Sequence, residues 1–294
     1  MSEHRILLIE NPARLSVDLG RICISREDEK DVFVAPADIA VALLHHHTIE
    51  VTAQALKLFV DNRAIVLITD DKHHPSGWLT PMYGLPQASL RLYQQQDMKP
   101  DIRARLWQLI VQARIKTEAA NLRHLKLNGA LRLERLITEV QPGDSSHAEG
   151  QAARHYWGCL FGEGFKREKQ GADDSLNACL NYGYAVLRAL VARELAVASL
   201  TPMLGLGHLN RDNPFNLADD FMEPYRYLVE RHAHAHRDKL VEFNTEARLL
   251  MLAFIKESVK LGNMDFRLPA AVRESIGSYL RVLETGRGGL ALPS

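Results

Sequence analysis

Cysteine is scarce in this chain of 294 residues: Cys23, Cys159 and Cys179 are odd in number and widely spaced. That spacing excludes a disulfide framework and a cysteine-based zinc site, and it points to a reducing compartment. An excess of charge of one sign is lacking too, because 36 Lys and Arg balance 36 Asp and Glu. A wholly basic nucleic-acid coat is therefore excluded, whereas a local basic stripe is not. No apolar run reaches membrane-spanning length, and the opening M-S-E-H-R-I-L-L-I-E has no apolar signal region. These absences predict a soluble cytoplasmic protein with no membrane partner. There is also no fixed-period repeat, no low-complexity tract and no glycine loop of the phosphate-cradling kind. What remains is a globular composition, 46% hydrophobic, long enough for two ordinary domains.

Strand patterns dominate the first seventy residues. Ile6–Ile9 reads as a short buried strand, and L-S-V-D-L-G-R-I-C-I-S alternates on both sides of Gly20 as a hairpin does. Val32–Ala35 fits another strand, Pro36 a helix start running to about His45, and Thr52–Asp61 a second helix. The run from Ala64 reads as a buried strand, and the Pro- and Gly-rich stretch after Asp71 as the exit from a first domain. Beyond it, apolar residues recur at helical spacing through Leu106, Ile110, Ala113, Leu122, Leu133 and Leu136. Helices are predicted over His147–Phe161, Ser175–Ser199, Phe215–Lys239, Val241–Leu261 and Ala270–Leu283, with a frayed R-G-G-L-A-L-P-S tail. The expected fold class is α+β: a β-rich domain at residues 1–85 and an all-α domain at 86–294.

The most informative segment is G-H-L-N-R-D-N-P-F-N-L-A-D-D-F-M-E-P-Y-R, from Gly207 to Arg226. Asn213-Pro214 fits a helix start. Asp220 and Glu223 then share one helical face, and Pro224 inside the pattern should kink the helix and leave the Asp220 carbonyl unpaired. His208 follows the flexible G-L-G, and Glu149 opens a helix among the small residues Gly150, Ala152 and Ala153. Each feature also has a structural reading: an acidic first turn favoured by the helix dipole, or a capping box from Ser146 to Glu149.

Taken in order, these pieces resemble a known family. E-G-Q-A-A at Glu149, L-N-Y-G-Y at 180–184, G-L-G-H ending at His208 and N-P-F-N-L-A-D-D-F-M-E-P-Y-R are similar to the CRISPR-associated integrase of spacer acquisition. I-V-Q-A-R-I-K-T-E-A from Ile110 and I-T-D-D-K-H-H-P-S-G from Ile68 extend the match over most of the chain, and D-D-F-M-E-P-Y-R is closest in wording to the type II branch. The resemblance implies a β-sandwich-like N-terminal domain for dimerisation, a helical catalytic domain and a homodimer. It also implies a small ferredoxin-like second adaptation protein as partner, and an effector nuclease in a type II system. Glu149, His208 and Glu223 would be the catalytic metal ligands, with Asp220 either a further ligand or a group that orients one. Two carboxylates and one imidazole suit Mg²⁺ or Mn²⁺. The implied reaction inserts short DNA fragments into a CRISPR array by attack of a 3′-hydroxyl on a phosphodiester.

Between Lys99 and Arg135 there are nine Lys and Arg but three acids, interleaved with Leu and Ile. Arg123, Lys126, Arg132 and Arg135 are accordingly expected to follow DNA phosphates, with Arg226, one turn beyond Glu223, holding a phosphate near the site. Tyr182 and Tyr184 read as core, and R-H-A-H-A-H-R around His234 as an exposed face with no carboxylate nearby. Two other readings stay open: a metal-dependent phosphohydrolase of small nucleotides, and a DNA-binding scaffold without chemistry.

Overall fold

A computed structural model describes residues 5–70, 75–79, 87–169, 172 and 174–294. It divides into two compact units: the described residues up to Ala88 with Ala192–Ser199, and 89–191 with 200–294. The boundary expected between 85 and 86, and the histidines His73 and His74, lie outside the described residues.

The first unit holds two four-stranded sheets. One has the order β1 (Arg5–Ile9), β5 (Ile39–Leu44), β7 (Ile65–Thr69), β8 (Pro75–Leu79), with only β8 antiparallel to its neighbour. The other has the order β4 (Val32–Val34), β3 (Arg21–Ser25), β2 (Arg14–Asp18), β6 (Glu50–Val51). Leu19 and Gly20 close the β2–β3 hairpin, both at positive φ, as a tight two-residue turn requires. Helix α1 (Ala53–Asp61) is capped by Thr52, whose hydroxyl accepts from the Ala55 N–H, and it buries Ala55 and Phe59. Leu15, Ile22 and Ile24 from one sheet meet Ile9, Ala42, Leu44 and Val66 from the other, with Phe59, in one core.

The helix expected from Pro36 to His45 is instead a single 3₁₀ turn followed by β5. All six residues of β5, I-A-V-A-L-L, are buried, because the strand runs between β1 and β7. A continuous apolar run of that length suits a fully covered parallel strand as well as a helix, and the neighbouring strands decide.

The second unit is mostly helical: α2 (Ala88–Gln96), α3 (Pro100–His124), α4 (Ala130–Glu139), α5 (Ala148–Phe161), α6 (Ser175–Val197), α7 (Asn216–Met222), α8 (Arg226–Ala235), α9 (Thr245–Leu252) and α10 (Leu268–Thr285). At roughly 1.5 Å per residue, the 25-residue α3 is roughly 37 Å long. Helices α4, α5 and α8 pack against it. The last residues of α6 belong to the first unit, where the Arg193 Nε donates to the Arg63 carbonyl at 2.6 Å.

Three expectations for this unit need correction. The helix predicted over Val241–Leu261 is only α9, preceded by the Asn244 cap; the chain then turns into the antiparallel hairpin β9 (Ser258–Leu261) and β10 (Met264–Arg267). The unit is therefore not purely helical. The tail is tied down rather than frayed: Leu261 pairs with Pro293, the Ala291 N–H donates to Ser278 Oγ at 2.9 Å, and Arg105 Nη1 donates to the Gly288 carbonyl at 2.6 Å. Finally, Asn213 does not cap a helix at Pro214; its side chain accepts from the Phe215 N–H in a turn, and α7 starts at Asn216. No helix among the described residues is long and apolar enough to cross a membrane.

Candidate metal centre

The N-terminus of α5 is built by a residue that the sequence reading passed over. Asp144, at φ 51°, turns its carboxylate onto the free N–H groups of Ala148 (2.9 Å) and Glu149 (3.2 Å). Ser146 bonds to Asp144 at 3.4 Å instead of capping the helix. The capping box is thus absent, and the Glu149 side chain is left to reach Arg114 of α3.

His208 is placed by close packing. A Cβ on Gly207 would lie 2.1 Å from the Trp107 ring, and one on Gly205 would lie 2.1 Å from the His208 carbonyl, so only glycine fits at either position. Trp107 meets the imidazole edge-on, with ring centroids 5.5 Å apart. Asp220, fully buried, collects the backbone N–H groups of Leu206, Gly207 and His208, and its Oδ1 accepts from His208 Nδ1 at 2.8 Å. With the carboxylate as acceptor, Nδ1 carries a proton, and in the neutral ring Nε2 is the lone-pair nitrogen. Burial pulls the imidazole down, but the Asp220 hydrogen bond and charge, with Glu223 and Glu149 beyond, raise it overall.

The kink expected at Pro224 is a 3₁₀ turn over Glu223–Tyr225 between α7 and α8. The Asp220 carbonyl is not left unpaired: the Glu223 N–H takes it in the tighter 3₁₀ pattern. The Pro224 carbonyl in turn accepts from Thr117 Oγ1 of α3 at 3.2 Å, so the break is pinned to the long helix.

The break turns Glu223 inward to a buried cluster of charge. Arg114 donates through Nε to Glu118 at 3.1 Å, while its Nη1 touches both Glu149 Oε1 and, at 2.8 Å, Glu223 Oε2. Arg226 Nη1 donates to Glu223 Oε1 at 2.9 Å; its Nε lies 3.8 Å from Glu230, which also accepts from the Tyr184 hydroxyl at 2.6 Å. Burial works to raise Glu223, yet Arg114, Arg226 and His208 hold it down to about 2. Burial outweighs Arg114 at Glu118, which is pushed up to about 7. Four acids meet two arginines within ion-pair reach, with Glu118 only partly charged at neutral pH.

The sequence-predicted residues therefore divide. Glu149 and Glu223 converge on one guanidinium nitrogen, and His208 stands nearby with Asp220 behind it. Asp220 orients the imidazole and is itself held by backbone donors. Arg226, expected at a phosphate, is instead enclosed, pairing with Glu223 and stacked 4.2 Å over the Tyr184 ring. Tyr184 is core, as expected, but with a polar task. Arg123 is exposed and doubly bonded to Glu134 at 2.7 and 2.8 Å, while Lys126, Arg132 and Arg135 are exposed. Arg132 lines a surface cleft of about 630 Å³ with Ser146, His147, Gln151, Arg154 and His155, a lining without a carboxylate. His232, read as exposed, is half-buried and bonded to Glu257 at 3.0 Å. Sequence reasoning missed Arg114, Glu118 and Glu230; the available signal was an Arg and a Glu four apart on the apolar face of α3.

As they stand, no three His, Cys, Asp or Glu among the described residues lie close enough to hold an ion. The donors nonetheless fit a hard divalent cation. Glu223 Oε2 is buried without a hydrogen bond, since the Arg114 contact is too oblique to make one, and His208 offers Nε2.

The family described as "CRISPR associated protein Cas1" matches residues 6–240. A relative from Neisseria meningitidis serogroup C, named CRISPR-associated endonuclease Cas1, is 33% identical over 280 residues, 94% of this chain and 90% of its own. The chain belongs to the Cas1 family. Among solved structures, a casposase bound to integration product has a TM-score of 0.82 at 16% identity, over 97% of this chain and 92% of that one. A Cas6-RT-Cas1–Cas2 complex has a TM-score of 0.76 at 20% identity, over 98% of this chain and 36% of that one. At such identities these two show the Cas1 fold.

Proposed function

We propose that this Cas1-family protein is a divalent-metal-dependent DNA endonuclease and integrase that inserts short DNA fragments into a CRISPR array. The observation that carries this reading is the convergence of Glu149 and Glu223 on one cation, beside an imidazole held by a buried aspartate. Glu149, Glu223 and His208 would hold Mg²⁺ or Mn²⁺, which supplies charge to the oxygens of a phosphodiester under attack. Asp220 keeps the His208 proton on Nδ1, Trp107 covers the ring, and Arg226 holds the Glu223 carboxylate in its rotamer. The nucleophile of joining is a DNA 3′-hydroxyl. Water competes poorly once that group is held at reacting distance, because positioning supplies effective concentrations far above molar.

The exposed Lys126, Arg132 and Arg135, with the cleft that Arg132 shares with Arg154 and two histidines, form the DNA-facing surface; Arg123 joins it when its pair with Glu134 opens. Partners follow from the relatives. The casposase with its integration product and a Cas1–DNA complex support DNA as substrate, and the Cas1–Cas2 assembly supports a second adaptation protein, which the family resemblance implies is small and ferredoxin-like. A homodimer built through residues 1–85, catalysis in 86–294, a cytoplasmic location and contact with a type II effector nuclease complete the reading.

The test is joining of short duplexes to a repeat-containing plasmid, with Mn²⁺ and the second adaptation protein. Donors ending in 3′-hydroxyl should join and donors ending in 3′-dideoxy should not. Joining of the blocked donor rules out this mechanism. Turnover of free nucleotides with no action on DNA would favour the small-nucleotide phosphohydrolase, and DNA binding with no metal-dependent chemistry the scaffold.

A further inference from the structure

Arg114 is the least explained residue of the centre. It is the cation that Glu149 and Glu223 share, and it stands between the oxygens that an ion would have to use. Its guanidinium is divided: Nε is bonded to Glu118 at 3.1 Å, and Nη1 contacts both members of the ligand pair. The Nη1 contact with Glu223 Oε2 is an ion pair without a hydrogen bond. Arg226 meanwhile occupies the other oxygen of Glu223, so the carboxylate is already half-neutralised before Arg114 is counted. Arg114 is thus anchored to Glu118 at one end, while at the other its Nη1 is hydrogen-bonded to Glu149 and only in ion-pair contact with Glu223.

We propose that Arg114 is a resident placeholder cation. It keeps the part-exposed Glu149 and the buried Glu223 carboxylates in position while no divalent ion is bound, and its Nη1 gives way when an ion arrives. This rests on Glu149 and Glu223 being the ion's ligands. Its physical basis is that two carboxylates turned toward each other in a partly enclosed site repel unless a cation lies between them. A guanidinium supplies that charge permanently, because it does not lose its proton. Holding the pair ready lowers the ordering cost of binding, but the ion must displace an existing ion pair. Arg114 therefore acts on the ion through Glu149 and Glu223, as a positioning residue that trades affinity for a preformed site.

The test is direct titration of the metal-free full-length protein with Mn²⁺, read by the electron paramagnetic resonance signal of the free aqua ion and by the thermal midpoint. Arg114→Gln should have a lower midpoint without metal and a larger Mn²⁺-induced gain than wild type. It should also bind Mn²⁺ on the order of tenfold more tightly, since an ion pair no longer competes. Arg114→Lys, which keeps the charge but cannot reach Glu118 and both ligands at once, should fall between the two, and it keeps the test open if the Gln variant does not fold. Lys116→Gln removes the same charge from the exposed face of α3 and should leave the Mn²⁺ affinity within about twofold, because solvent screens it. Unchanged or weaker binding in the Arg114 variants overturns the placeholder role. An equal gain in Lys116→Gln reduces it to a general field effect and overturns it too. Absence of Mn²⁺ binding by wild type and by all variants instead removes the metal reading on which it rests.

Discussion

The protein uses arginine in two opposite surroundings. Arg114 and Arg226 are enclosed and shared among Glu118, Glu149, Glu223 and Glu230, whereas Arg132 and Arg135 stand in solvent on α4 with no acid in the cleft that Arg132 lines. A buried guanidinium is worth what its partners would lose without it, a matter of several kcal/mol. An exposed one adds little to stability, yet it contributes fully to the field that a polyanion meets. The composition, balanced in charge overall, conceals this division. Its lesson is that arginines with the same sequence signature set geometry in one place and attraction in the other.

The comparison is broken most severely at Glu223. Glu223→Ala takes one partner from each of two enclosed guanidiniums, which keep Glu118, Glu149 and Glu230, and should cost about 1–3 kcal/mol of stability in urea unfolding. It should also lower strand joining at least ~10²-fold, the usual loss when a transition-state charge stabiliser is removed. Glu223→Gln keeps the shape and should lose the activity with less destabilisation, which separates the two effects. Asp220→Asn keeps the His208 ring in place but weakens its orientation; Mn²⁺ affinity should fall by about 10–100-fold.

The exposed side should respond in DNA binding rather than in stability. Arg132→Glu with Arg135→Glu should leave the unfolding free energy within about 0.5 kcal/mol of wild type. The log–log salt slope of DNA binding should fall by roughly one for each phosphate no longer engaged. An unchanged slope would show that DNA lies elsewhere. The smallest effect belongs to Arg123, whose pair with Glu134 is exposed: Arg123→Ala should change stability by about 0.2–1 kcal/mol at most.

Much of this site was legible in sequence because its constraints are local. Pro224 three residues after Phe221 fixes where the helix must break, and G-L-G before His208 allows a close approach that longer side chains forbid. The partner of the carboxylates was not legible. Arg114 lies 35 residues from Glu149 and 109 from Glu223 along the chain, and in sequence it looks like one more member of a basic stripe. Only the packing of α3 against α5 and the 3₁₀ turn turns it inward. The same limit explains β5, where Ala and Leu accept helix and strand alike and two neighbouring strands decide. It explains the β9–β10 hairpin as well, whose pairing with the tail spans 32 residues from Leu261 to Pro293.

The fit of Trp107 against Gly207 also constrains how this chain can change over generations. With a Cβ at position 207 only 2.1 Å from the indole, alanine there cannot be accommodated while the tryptophan stays. Losing the tryptophan first leaves a hole over His208. Neither single step is neutral, so the two positions should drift together or not at all, and a library that varies one of them alone would find that position frozen.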